Sequence, residues 1–139
     1  HQYESNYAKV INDLIKQKNC LFVDFLVISE VVNRVLRFEY QKLNSDQSFK
    51  DFRNSEGGKD TIKDIYVIVQ EQILKRFKVI GKTFNKNDIA NFLMVDHLDF
   101  IDKAIVSICS ENNMVLLTND KDFKNSGIDI LTGNIYILN

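Results

Sequence analysis

The 139-residue sequence has no proline, five glycines and two cysteines. Its only adjacent glycines are Gly57 and Gly58, so neither a phosphate-binding P-loop nor a dinucleotide-binding glycine motif is present. No apolar run approaches the roughly 18 residues of a membrane-spanning helix, and no charged segment followed by an apolar leader indicates a secretory signal. We expect Cys20 and Cys109, which lie in apolar or helical contexts, to be buried free thiols of a protein in the reducing cytoplasm.

The charge is nearly balanced, with 18 basic and 19 acidic residues and a net charge of −1. A nucleic-acid partner would therefore have to contact a local basic patch, because Lys and Arg supply most non-specific affinity for phosphates. One group of basic residues predicts either a solvated helix end, which we favour, or a track for RNA. It comprises Lys75, Arg76, Lys78, Lys82 and Lys86. The two histidines and two cysteines lack the spacing of a zinc site.

The length predicts one domain, residues 1–139, in which helices and strands alternate. Tyr7, Val10 and Leu14 recur at helical spacing, which predicts a first helix over about residues 4–18. Short apolar runs predict strands at residues 20–23, 79–80, 114–117, 128–131 and 135–138. Residues 44–58 are polar and end in two glycines, which predicts a loop. Strands separated by helices imply a mainly parallel sheet with helices on both faces.

Side-chain chemistry indicates where several helices begin. Asp24 can cap the helix that follows the strand at residues 20–23, and Asn87 can cap a later helix. A further helix is predicted over residues 98–112. Its apolar stripe should be buried and consists of Ile101, Ala104, Ile105 and Ile108.

Four acidic residues surround the last of these helices and the strand that follows it. Asp99 and Asp102 lie one turn apart near the start of the helix, and Asp120 and Asp122 follow the strand. Open α/β folds gather their chemistry at the carboxyl ends of parallel strands. Carboxylate oxygens are the ligands that hard divalent cations prefer. The sequence therefore predicts a cation site at this place.

The spacing of these residues resembles the PIN domain, the metal-dependent nuclease fold of VapC-type toxins. The matching positions are Asp102, Ile105, Leu116, Leu117, Thr118, Asn119, Asp120, Asp122 and Phe123. A weaker match lies upstream, where a strand leads into a helix carrying Ser29 and Glu30. The resemblance covers most of the chain and implies a three-layer α/β/α fold with a mainly parallel sheet.

The resemblance also implies a function: Mg²⁺- or Mn²⁺-dependent hydrolysis of RNA phosphodiesters by an endoribonuclease. Glu30, Asp102 and Asp120 would be the catalytic metal ligands, and Asp99 would support them. Thr118, Asn119 and Asp122 would bind substrate or orient the ligands. It further implies RNA as the substrate class, an antitoxin as a protein partner and a homodimer as the assembly.

PIN domains begin with a strand that ends in Asp-Thr-Asn or a similar sequence, and no such segment occurs here. We therefore expect the chain to lack this first strand and the acidic ligand it carries. That departure keeps a second hypothesis open, a PIN-fold binding or scaffold module without catalysis. A receiver-like signalling domain is a third hypothesis, although the acids do not follow its pattern.

Each acidic residue also has a purely structural interpretation. Glu30 could pair with Arg34 four residues later, a contact worth roughly a few tenths of a kcal/mol. Asp99 could serve only the helix dipole, and Asp120 and Asp122 could be ordinary turn residues. Asp102 is the strongest ligand candidate, because it adjoins the apolar stripe and an unpaired buried carboxylate is costly.

Overall fold

The structure, a computed structural model, describes the backbone of residues 2–44 and 46–138 and their side chains from residue 6 onward. These residues form helices and short strands in the order α1 (Gln2–Lys16), β1 (Phe22–Asp24), α2 (Phe25–Lys42), α3 (Phe49–Asn54), α4 (Glu56–Ile68), β2 (Lys78–Ile80), α5 (Lys86–Phe92), α6 (Phe100–Glu111), β3 (Leu116–Leu117), β4 (Ile130–Leu131) and α7 (Ile135–Leu138). A π-helical segment, Val69–Leu74, follows α4, and a 3₁₀ turn, Lys121–Phe123, follows β3.

The strands form two pairs, and both pairs are parallel. β1 pairs with β2, with Val23 opposite Val79, and β3 pairs with β4, with Leu116 opposite Ile130. Helices separate the strands along the chain, as parallel pairing requires. The predicted α/β class with parallel strands is confirmed.

The chain divides into two compact units. The first holds the residues up to 18 together with those from 81 onward, and the second holds residues 19–80. None of the helices within residues 2–44 and 46–138 combines the length and the apolar character that crossing a bilayer requires.

The second unit is built around a small apolar core between α2, α3 and α4. Its buried members are Leu36, Phe52, Ile65 and Val69. The predicted cap of α2 is confirmed, because an Asp24 carboxylate oxygen accepts a hydrogen bond from the Val27 backbone N–H at 2.9 Å. Cys20 is exposed rather than buried as expected, and neither Cys20 nor Cys109 forms a disulfide.

The prediction of a loop over residues 44–58 is wrong, because α3 and the start of α4 occupy most of it. Two serines cap these helices: Ser48 accepts from the Asp51 N–H and Ser55 from the Gly58 N–H, each at 3.1 Å. The glycine pair opens α4 instead of ending a loop. A β-carbon on Gly58 would lie 1.9 Å from the Phe52 carbonyl oxygen, so glycine is required where the two helices meet.

In the first unit, α6 supplies most of the buried surface. Ala104, Ile105, Ile108 and Cys109 are buried along it, whereas Ile101 is 46% exposed, contrary to the prediction. Lys103 is buried as well. Its ammonium group donates to the Phe92 carbonyl at 3.2 Å and to the Met94 carbonyl, and it pairs with Asp96 at 3.3 Å.

Two local predictions in the first unit are wrong, both because of asparagine side chains. The cap of α5 is Asn85 rather than Asn87, and Asn85 and Asp88 form a reciprocal capping box. Residues 135–138 form the short helix α7 rather than an edge strand. Asn134 starts this helix, since its side chain accepts from the Tyr136 N–H and its carbonyl from the Ile137 N–H, both at 3.0 Å.

Candidate metal centre

The start of α6 positions two of the predicted acids. Asp99 is the N-cap, and one of its carboxylate oxygens accepts a hydrogen bond from the Asp102 backbone N–H at 2.8 Å. Asp99 is exposed, whereas Asp102 is half-buried in the first turn of the helix. The residues behind Asp102, from Lys103 to Ile105, are buried. Packing of α6 thus fixes the backbone that carries the Asp102 carboxylate.

The other two acids lie in the turn that follows β3. The Asp120 backbone N–H donates to the Thr118 hydroxyl at 3.0 Å, and an Asp120 carboxylate oxygen accepts from the Asp122 N–H at 3.0 Å. Asp120 thereby caps the 3₁₀ turn, whose Phe123 side chain is buried and anchors it. Both carboxylates are exposed. One carboxylate oxygen of Asp120 is thus engaged in its own turn.

Electrostatics joins these four residues into one group, which we call the acidic cluster: Asp99, Asp102, Asp120 and Asp122. Burial, and then the negative charges of Asp99 and Asp120, raise the pKa of Asp102 from 3.8 to about 6. Asp122 adds to this rise in pKa, and a backbone hydrogen bond from Asp99 opposes it. Negative charges near one another favour the protonated form of the least solvated member. The cluster therefore carries uncompensated negative charge.

The donor chemistry of the acidic cluster fits a hard divalent cation, because its members offer carboxylate oxygens. Within residues 2–44 and 46–138, no three His, Cys, Asp or Glu side chains converge closely enough to enclose a metal ion. Mg²⁺ does not demand such a cage, since it retains several waters and is commonly bound through one or two carboxylates. The cluster accordingly suits an ion held by two carboxylates and water.

Glu30 lies on α2 in the second unit. Its side chain is 58% exposed, and one carboxylate oxygen lies 3.4 Å from an Arg34 guanidinium nitrogen. This is the structural pairing that the sequence offered as the alternative to a ligand role. An exposed pair of this kind contributes little to stability, so it leaves the carboxylate available to other interactions.

The predicted basic cluster is partly engaged in structural contacts. Lys82 is only 15% exposed; it donates to the Ser107 hydroxyl at 3.0 Å and pairs with Glu111 at 3.3 Å and Asp88 at 3.7 Å. Lys75 pairs with Glu71 on its own helical segment. These contacts favour the solvated-helix interpretation for Lys75 and a structural role for Lys82.

Sequence reasoning missed one residue near the acidic turn. Tyr7 was placed only on the apolar stripe of the first helix, but its hydroxyl reaches the residues that follow β3 and β4. A tyrosine on an apolar face usually directs its hydroxyl to a polar partner. Nothing in the sequence, however, connects residue 7 with a turn more than a hundred residues later.

The protein is an α/β protein, because parallel strand pairs alternate with helices. Its acidic site consists of carboxylates after β3 and at the start of α6. The family model of the PIN domain matches residues 1–128. The chain therefore belongs to the PIN domain family, whose members are generally nucleases. This membership decides against the receiver-like hypothesis. Neither the curated proteins nor the solved structures gave a match.

Proposed function

We propose that this PIN domain is a Mg²⁺- or Mn²⁺-dependent endoribonuclease and that the acidic cluster is its reaction centre. The observation that carries the proposal is the PIN family match over residues 1–128, together with the placement of the acidic cluster at the start of α6 and after β3. The raised pKa of Asp102, about 6, agrees with it. An acid with a strongly raised pKa beside other carboxylates is typical of a functional site. A bound cation would relieve the repulsion between the carboxylates of the acidic cluster.

The proposed ligands are Asp102 and Asp120, with Glu30 as a third ligand that would act through water. Asp99 has a supporting role, because one of its carboxylate oxygens is already engaged by the Asp102 backbone N–H. Thr118 orients the Asp120 backbone through its hydroxyl. Asn119 and Asp122 are the remaining polar groups of this turn, and we assign them substrate contact or ligand orientation.

In the proposed reaction, a water oxygen attacks the phosphorus of an RNA phosphodiester. The bond from phosphorus to the 3′ oxygen breaks, which leaves a 3′-hydroxyl on one product and a 5′-phosphate on the other. The divalent ion supplies charge stabilisation at the phosphate and a lowered pKa for water. The carboxylates of Asp102 and Asp120 would hold the ion and would orient the attacking water by hydrogen bonds; the proton that the water loses would be balanced by one taken up by the leaving 3′ oxygen.

The proposed partners follow from the resemblance to VapC-type toxins: RNA as substrate, an antitoxin protein and a second copy of the chain. An exposed apolar segment supports a protein partner, because Leu93, Met94 and Val95 are 69%, 68% and 100% exposed. Exposed apolar surface of this kind often marks an interface. The absence of a disulfide between Cys20 and Cys109 favours a reducing compartment, the cytoplasm.

The test is cleavage of a mixed-sequence fluorogenic RNA with Mn²⁺, with and without EDTA. We expect cleavage to require the metal and to fall to background in Asp102→Asn and Asp120→Asn. The matched control is Asp129→Asn, an exposed aspartate of the same unit whose backbone pairs with the start of β3, at the other end of the strand pair. It should cut like the unmodified protein, with products carrying 5′-phosphates.

Two outcomes would contradict the nuclease proposal. Cleavage that persists in EDTA, or that survives in both variants, would place the activity outside the acidic cluster. Metal-independent RNA binding without any cleavage would favour the alternative of a PIN-fold binding module. That alternative draws on the observation that no three acids of the described chain converge on one point.

A further inference from the structure

One tyrosine hydroxyl joins three parts of the first unit. The Tyr7 hydroxyl, on α1, lies 3.1 Å from the Thr118 carbonyl oxygen and 3.1 Å from the Asn119 side-chain oxygen, both after β3. It also lies 3.1 Å from the Gly133 N–H and 3.3 Å from the Thr132 hydroxyl, both after β4. These partners lie more than a hundred residues from Tyr7 in sequence.

The donors and acceptors at this hydroxyl balance. A tyrosine hydroxyl donates one hydrogen bond and accepts two. The Tyr7 proton can go to the Thr118 carbonyl or to the Asn119 side chain, neither of which can offer a proton from that oxygen. The Gly133 N–H donates to the Tyr7 oxygen. The Thr132 hydroxyl oxygen already accepts from the Asn134 N–H at 3.0 Å, so its own proton is free to complete the set.

The same residues hold the turn that carries Asp120. Thr118 contacts Tyr7 through its carbonyl and holds the Asp120 N–H through its hydroxyl at 3.0 Å. From the other side, the Asn134 side chain donates to the Asn119 carbonyl at 2.6 Å. The residues just before Asp120 are thus tied to α1 and to the segment after β4. Loss of the Tyr7 hydroxyl would remove one oxygen atom that bonds to both segments.

We propose that Tyr7 is a positioning residue that fixes the turn carrying Asp120 and thereby holds that carboxylate in place for a divalent cation. The inference rests on the proposed function, because it assigns Asp120 to the metal. It predicts that the phenol oxygen, rather than the ring, matters for metal binding. Partners of this kind, which orient a ligand without touching the ion, typically affect metal affinity 10- to 100-fold when removed.

Tyr7→Phe is the variant that tests this, because it removes the hydroxyl and leaves the ring. Two quantities are measured on the full chain: the exchange rates of the Asp120 and Gly133 amide protons without metal, and the affinity for Mn²⁺ by electron paramagnetic resonance. We expect both amides to exchange faster and Mn²⁺ to bind about tenfold more weakly. RNA cleavage by the variant should recover at correspondingly higher Mn²⁺. Tyr66→Phe, at an exposed tyrosine of α4, is the matched control and should change none of these.

The outcomes separate this inference from the proposed function. Faster exchange at Gly133 alone, or unchanged Mn²⁺ affinity in Tyr7→Phe, would overturn the positioning role while the nuclease proposal stands. An unmodified protein that binds no Mn²⁺ would overturn the proposed function and, with it, the role of Tyr7. If Tyr7→Phe does not fold, Thr132→Val removes another hydroxyl of the same set, and the same two measurements on it decide.

Discussion

Replacing Asp102 by asparagine should make the fold more stable at neutral pH while it abolishes metal-dependent cleavage. Burial, and then the charges of Asp99 and Asp120, raise the pKa of Asp102 from 3.8 to about 6. The folded state therefore holds this residue's negative charge less favourably than the unfolded chain does. Asparagine keeps the shape and hydrogen-bonding oxygen of the side chain but removes the charge.

The size of the effect follows from the pKa change. A rise from 3.8 to about 6 corresponds to at most about 3 kcal/mol of destabilisation once the carboxylate is ionised. Asp102 is only half-buried, so solvent screening reduces this. We expect Asp102→Asn to raise the free energy of unfolding by roughly 1–2 kcal/mol at pH 8.

The pH dependence gives the prediction its sign. Between pH 3.8 and about 6 the folded state binds more protons than the unfolded state, so the unmodified protein loses stability as the pH rises through this window. The advantage of Asp102→Asn should be complete above pH 6 and should disappear as the pH falls toward 3.8. Below that pH both states carry the neutral carboxyl group.

The free energies of unfolding are measured by urea unfolding in EDTA, followed by circular dichroism, at several pH values from 4 to 8. Asp46→Asn, at an exposed loop aspartate of the second unit, is the control and should show no such trend. Saturating Mg²⁺ should reverse the order, because a ligand at a hundred times its Kd stabilises the protein that binds it by about 2.7 kcal/mol. A variant that is equally or less stable than the unmodified protein at pH 8 in EDTA would refute the reasoning.

Four further changes test the site and the two units separately. Glu30→Gln should lower metal-dependent RNA cleavage while changing the free energy of unfolding by only a few tenths of a kcal/mol; unchanged cleavage would remove it from the ligand set. Gly58→Ala should destabilise the protein by about 2 kcal/mol or more in urea unfolding, because its β-carbon would lie 1.9 Å from the Phe52 carbonyl oxygen. Gly57→Ala meets nothing within 4 Å and should be neutral or stabilising by roughly 0.5–1 kcal/mol. Asn85→Ala should cost about 1 kcal/mol through loss of the capping box, and an unchanged melting temperature would contradict this.

Periodicity and capping chemistry were enough to predict several elements of each unit. The strand after α1, the Asp24 cap, the helix after Asp99 and the strand before Thr118 all follow from local patterns, and the structure contains each of them. These elements are local in origin, because a cap or an apolar stripe is decided within a few residues.

The errors arose where individual side-chain and backbone contacts, rather than the apolar pattern, decide the local structure. The glycine pair at residues 57–58 was read as the end of a loop, but Gly58 is needed for the close approach of α4 to the Phe52 carbonyl. The apolar residues 135–138 fit a strand or a helix equally well, and the Asn134 side chain makes them a helix. The contacts of Tyr7 depend on the tertiary arrangement of α1 and both strand ends in the first unit.

One residue of the acidic cluster, Asp102, carries a negative charge that the folded state disfavours. Asp99 and Asp120 each use a carboxylate oxygen to cap a local structure, so both have a structural reason to be acidic. Asp102 differs from them: a backbone hydrogen bond from Asp99 supports its carboxylate, but burial and the neighbouring charges outweigh this and raise its pKa to about 6. A residue whose charge costs stability is expected at a functional site. Asp102 is therefore the residue of the cluster for which the proposed cation would offset the largest electrostatic cost.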